Sequence, residues 1–158
     1  MTGVDEGGPA DRRSNQCRSL IGGQIRRYVR EAEHLAELGE ELADVERIVT
    51  DAAAARGVEV TAVQSNHEGV LIDAIHELGA SAAGLVVNAA GWTHTSVAIR
   101  DALANVVAPV VEVHISDIHA REEFRRFSYI TDVAAHVIVG RGTDGYLEAI
   151  DWLAARRG

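Results

Sequence analysis

Short apolar runs alternate with helical periodicity along most of this chain, and that alternation restricts the fold more than any other feature. Val58–Val63, Gly84–Val87, Pro109–His114 and His136–Val139 each read as a strand. Leu42, Val45, Ile48 and Val49 fall at helical spacing before an alanine run, with Gly57 as the stop. Leu71, Ile72, Ile75 and Leu78 share one face of a helix over His67–Leu78, which Gly79 follows. Thr95–Val106 and Tyr146–Arg156 complete the helices, and Arg121–Phe127 reads as one helical turn. Apolar strands interleaved with amphipathic helices specify an α/β fold, a parallel sheet with helices on both faces. Pro109 opens its strand, where a missing N–H does least harm.

The N-terminal part follows other rules. Residues 1–16 are rich in Gly, Asp and Arg without periodicity and are expected to form a disordered leader, ahead of a single domain over 17–158. Cys17–Ile21 has the composition of a short strand, Gly22-Gly23 forces a turn, and Gln24–Leu38 is a polar, partly helical segment.

Composition excludes several functions. With 158 residues and a net charge of −9, the chain is large enough for one core and carries no basic run suited to nucleic acid or an anionic membrane surface. All 15 basic residues are arginine, which removes Schiff-base chemistry through a lysine, a lysine-linked pyridoxal cofactor and a P-loop. Anion recognition must then use arginine forks, backbone N–H groups or helix N-termini. A single cysteine, Cys17, excludes an internal disulfide framework. No stretch has the length of a membrane span and Met1–Gln16 lacks a signal-peptide core, so a cytoplasmic location is expected.

The chemistry gathers where strands end, because ligands of such sheets bind at the carboxyl ends of the strands. Gln64-Ser-Asn-His-Glu-Gly69, Asn88-Ala-Ala-Gly-Trp-Thr-His94 and Glu112-Val-His-Ile-Ser116 follow three successive strands to one rim. Glu112 and His114 are two apart and share a strand face. A carboxylate beside an imidazole fixes its tautomer and suits it to general acid work; a solvated polar pair fits the same spacing. The small residues after Asn88 let backbone approach a ligand, and a helix from Thr95 offers its N-terminal N–H groups; Asn88, Thr93 or Thr95 equally fit as plain caps. His94 is open to ligand contact or a cap hydrogen bond. Arg125 can fork onto a carboxylate, whereas Arg100-Asp101 reads as an exposed ion pair. The histidines are not in metal-ligand spacing, and no metal is expected.

Four blocks, QSNHEG at 64–69, NAAGWTHTSVAIRDA at 88–102, VEVHISDIHAREEFR at 111–125 and GYLEAIDWL at 145–153, resemble the type II 3-dehydroquinate dehydratases in order and spacing. The resemblance implies a flavodoxin-like fold, trimers assembled into a homododecamer, no cofactor, and a lyase that eliminates water from a cyclic 3-keto acid. It implies that His114 is the general acid and Glu112 its orienting carboxylate. Asn88, His94, Arg125 and the backbone of Ile115 and Ser116 become substrate contacts, and Asp101 a residue reaching a neighbouring subunit's site. In the N-terminal third the family's Asn-Gly-Pro-Asn-Leu corresponds to Ile21-Gly-Gly-Gln-Ile25, with Gln24 able to hold a water and Arg30 near the lid arginine. Leu38-Gly39 stands where the family carries its proton-abstracting Tyr-Gly, and Tyr28 is the tyrosine of that region. Three readings follow: a dehydratase with an altered base such as Tyr28, Glu31 or a water; a non-catalytic binder of a cyclic carboxylate; and an enzyme repurposed for a more reactive substrate.

Overall fold

The computed structural model describes residues 42–156. Helix α1 (Leu42–Ala54) is followed by α2 (Glu68–Gly79), β1 (Leu85–Val87), α3 (Val97–Ala104), β2 (Val110–His114), β3 (His136–Val139) and α4 (Asp144–Ala154). The strands form a parallel sheet in the order β1-β2-β3, with Val87 opposite Glu112 and His114 opposite Val139. Pro109, without an N–H, still serves the ladder through its carbonyl, which accepts from the Leu85 amide at 3.0 Å.

The sheet separates two apolar layers. Val86, Val111, Val113 and Ile138 pack with Val45, Val49 and Ala53 of α1 and Ala149, Ile150 and Leu153 of α4. Leu85, Val87 and Val110 point the other way, onto Leu71, Ile75 and Leu78 of α2 and Ile99 and Leu103 of α3. Period-two alternation thus divides the strand residues between faces, and both faces of β1 and β2 are dry. Every residue of β2 is buried, including its two polar ones. At the exposed ends of α1 and α4 the Arg56 guanidinium forks onto both carboxylate oxygens of Asp151.

Several expected boundaries shift, each for a local reason. Val58–Val63 is not a strand of the three-stranded sheet formed among the described residues; Glu59 alone carries a bridge there. Val58, Val60 and Ala62 pack on one apolar layer and Val63 on the other, so the run is placed against both core layers. The helix expected from Thr95 starts at Val97, because Ala90–His94 forms a 3-10 helix and Ser96 caps α3 by accepting the Ile99 N–H at 2.9 Å. The turn at Arg121–Phe127 tightens to a 3-10 helix at Glu123–Arg125, and the last helix begins two residues early, at Asp144. Gly57, at φ +66°, ends the α1 segment as expected. The leader and the first-strand segment lie outside the described residues.

Leu71 and Ile150 are almost fully enclosed, whereas Val107 is 99% exposed. Leu71→Ala and Ile150→Ala should each cost about 2–5 kcal/mol of unfolding free energy, and Val107→Ala less than about 0.5 kcal/mol, in urea titrations followed by circular dichroism.

Candidate active site

Central strand β2 delivers Glu112 and His114 to the rim of the sheet, the first fully buried and the second 5% exposed. Their shared face brings His114 Nε2 to 2.9 Å from Glu112 Oε1, as the spacing predicts. The contact is close but poorly aligned, and that ring nitrogen makes no hydrogen bond. The carboxylate itself is richly satisfied. Thr93 donates its hydroxyl to Oε1 at 2.8 Å, Ser128 donates to Oε1 at 2.5 Å, and Thr131 donates to Oε2 at 2.6 Å. Burial pushes the Glu112 carboxyl up; the His114 ring and the hydroxyls of Ser128 and Thr131 outweigh it and hold the value at about 2. Glu112 is therefore an ionised carboxylate inside the protein.

Residues around this pair come from the strand ends. Asn88 follows β1 directly; its Oδ1 accepts the Ala90 N–H at 3.1 Å and its Nδ2 donates to the Tyr146 hydroxyl at 2.8 Å. These two bonds fix which way the amide faces. Tyr146 is buried in α4, which pushes its phenol up to about 12 and keeps it neutral. His94 holds the Phe127 carbonyl through Nδ1 at 2.7 Å. A carbonyl only accepts, so Nδ1 carries the proton and Nε2 of the neutral ring is left as an acceptor. Burial lowers the His94 pKa, the Phe127 bond opposes this, and His114, Arg125 and Arg121 nearby disfavour its charged form further.

Ile115 and Ser116 continue directly from β2. The Gly142 N–H donates to the Ile115 carbonyl and the Gly140 N–H to the His114 carbonyl, both at 2.9 Å. Gly140 and Gly142 sit at φ +71° and +58°, so the loop that anchors this strand end uses the left-handed backbone glycine permits. Arg121 reaches the Ser116 hydroxyl. Arg125 has a side chain 15% exposed, with Nε 3.7 Å from Glu122 Oε2 and its guanidinium 5.5 Å from the Phe124 ring centre.

The fold brings Glu112, His114, Asn88, His94 and the Ile115–Ser116 turn, each singled out in the sequence, to the strand ends. Asp101 stands apart, on an exposed face of α3 and paired with Arg100 at 2.9 Å. Gln24, Tyr28, Arg30 and Leu38 lie outside the described residues. Thr93 is a correction: it caps no helix but bonds Glu112. Ser128, Thr131 and Tyr146 were missed as site residues. The available signal was Glu112 within Val-Val-Glu-Val, since a carboxylate in a buried central strand requires donors from elsewhere. Among the described residues no three His, Cys, Asp or Glu side chains converge as a metal site, and no helix is long and apolar enough to cross a membrane.

Comparison with known proteins points one way. Residues 29–154 match the family described as dehydroquinase class II. The chain is 54% identical over 109 residues to the catabolic 3-dehydroquinase 2 of Aspergillus flavus, covering 69% of this chain and 73% of that one. It is 53% identical over 114 residues to the 3-dehydroquinate dehydratase of Variovorax paradoxus, covering 69% and 78%. Among solved structures, the type II dehydroquinase of Butyrivibrio crossotus matches with a TM-score of 0.81 at 38% identity over 89% of this chain and 98% of that one. The type II dehydroquinase of Propionibacterium acnes gives 0.78 at 33% identity over 90% and 99%. The architecture is that of the flavodoxin-like α/β fold.

Because the folded Glu112 value near 2 lies below the ordinary 4.5, its contribution to stability is present above about pH 4.5 and is lost as pH falls toward 2. The stability difference between wild type and Glu112→Gln should be constant above pH 4.5 and shrink progressively down to pH 2, as read from urea midpoints across that range.

Proposed function

The chain belongs to the class II dehydroquinase family, and we propose that it dehydrates 3-dehydroquinate with His114 as general acid and Glu112 as the carboxylate that orients it. The observation that carries this reading is the ionised, fully buried Glu112 set 2.9 Å from a nearly buried imidazole at the rim of a parallel sheet. A carboxylate kept charged in such a place stabilises an imidazolium, the form that can give up a proton.

The reaction balances as an anti-elimination. A base takes the proton from the carbon next to the ketone, and the electron pair of that C–H bond moves into an enolate. The enolate reforms the ketone as the C–O bond on the next carbon breaks, and His114 protonates the departing hydroxyl, giving water and a conjugated enone. Each turn leaves the base protonated and His114 neutral, and exchange with water resets both. Asn88, His94, the backbone of Ile115 and Ser116, and Arg125 hold the hydroxyls and carboxylate of the ring. Arg125 can grip the carboxylate through parallel N–H groups in a site that has no lysine. In the N-terminal segment Gln24 holds the water that supports the enolate and Arg30 serves as the lid arginine; Tyr28 takes the role of base, since Leu38 has no proton acceptor.

The same reading extends to assembly and place. The chain forms a trimer-based homo-oligomer, a dodecamer, in which the exposed Asp101 reaches a neighbouring subunit's site. It is a cytoplasmic enzyme that uses no cofactor or metal.

Purified protein given 3-dehydroquinate should produce the ultraviolet absorbance of the conjugated enone, and His114→Ala should lower kcat by about 10²–10⁴-fold. Tyr28→Phe should lower it comparably; unchanged turnover would remove Tyr28 from the mechanism. No absorbance change at high protein concentration, with tight binding of a flat ring acid that mimics the enolate, would instead mark a binder without turnover.

A further inference from the structure

The hydroxyls around Glu112 form a network whose direction is fixed. Ser128 Oγ accepts the N–H groups of Ile130 at 3.0 Å and Thr131 at 3.3 Å, which fills its two lone pairs. Its single proton therefore points to Glu112 Oε1. Thr93 Oγ1 lies 3.2 Å from Ser128 Oγ, whose lone pairs are already filled, and so it also donates to Glu112 Oε1. Oε1 carries both of these bonds; Oε2 carries the bond from Thr131. The carboxylate is thus satisfied by neutral donors from two separate segments, while the His114 N–H beside it is unaligned.

This arrangement matters at the moment of reaction. When His114 gives up its proton, the positive charge facing Glu112 disappears. A buried carboxylate relying on that charge alone would become an uncompensated ion, and keeping the proton on the pair would be favoured. Hydroxyl donors are unaffected by the titration of the imidazole. We propose that Thr131, with Ser128 and Thr93, acts as a set of positioning residues that hold Glu112 as an anion through the half of the cycle in which His114 is neutral. This rests on the assignment of His114 as general acid. The charged and titratable groups near the site are His114 on the same strand, His94 beside Thr93, and Arg121 and Arg125 on the segment before Ser128.

Thr131 is the residue to test, because its hydroxyl binds the other carboxylate oxygen and the residue is exposed, so its substitution opens no core cavity. In the full-length protein, Thr131→Val should reduce kcat about tenfold, the effect of one hydrogen bond to a charged group, with KM within about twofold of wild type. The acid limb of its kcat–pH profile should move to higher pH, and Thr131→Ser should restore both rate and profile. A thermal midpoint close to wild type should accompany the loss. Wild-type kcat and an unmoved acid limb in Thr131→Val, with Glu112→Gln inactive, would overturn the proposal while leaving the acid assignment intact. Full activity in Glu112→Gln and His114→Ala would overturn both.

Discussion

A carboxylate placed in the buried central strand of the sheet sets the terms for everything around it. Val111 and Val113 flank Glu112 and turn to the opposite apolar layer, so the carboxyl cannot reach water without breaking the alternation that builds the core. An ion in that position demands donors, and the fold supplies them from elements distant in sequence. The 3-10 helix at Ala90–His94 exists where Thr93 must arrive, and the irregular segment between Arg121 and Ala135 exists where Ser128 and Thr131 must arrive. The Tyr129 N–H donating to the Thr93 carbonyl at 2.9 Å ties these two segments together, so the donors are set as one unit.

How much of this was legible follows from which interactions are local. The short apolar runs of β1, β2 and β3 and the helical stripes of α1 and α2 depend on near neighbours, and they read correctly from the sequence alone. The Glu112–His114 pair is local too, since two residues on one strand share a face whatever lies across from them. The hydroxyls are another matter. Ser128 and Thr131 lie 16 and 19 residues beyond Glu112, and nothing in a stretch of loop composition says which hydroxyl turns inward. Val58–Val63 is hard to read for a related reason: its apolar residues record contact with the two core layers, which strand pairing and plain packing both satisfy.

The Asn88 turn shows the same limit at smaller scale. Ala90 holds φ +48°, a left-handed conformation with no glycine to announce it. That backbone state costs roughly 1–2 kcal/mol for a residue with a side chain, and the bond from its N–H to Asn88 Oδ1 offsets part of the cost. The bond also orients the amide for Tyr146, whose partner lies 58 residues along the chain. Strain in the turn and orientation of the side chain are therefore one feature, and both become visible when α4 is packed against the sheet.

The energetics also bear on what the site is for. For stability alone, an apolar side chain in the place of Glu112 would serve a central strand better, because even a well-paired buried ion recovers little more than its own desolvation. A scaffold without turnover has no use for that ion, nor for the three hydroxyls that keep it charged. An acid catalyst has use for all of them: the imidazole must carry a proton before the reaction and lose it during the reaction, next to a charge that does not change. The buried anion, its neutral donors and the imidazole beside it are what the proposed proton transfer at His114 requires of this rim of the sheet.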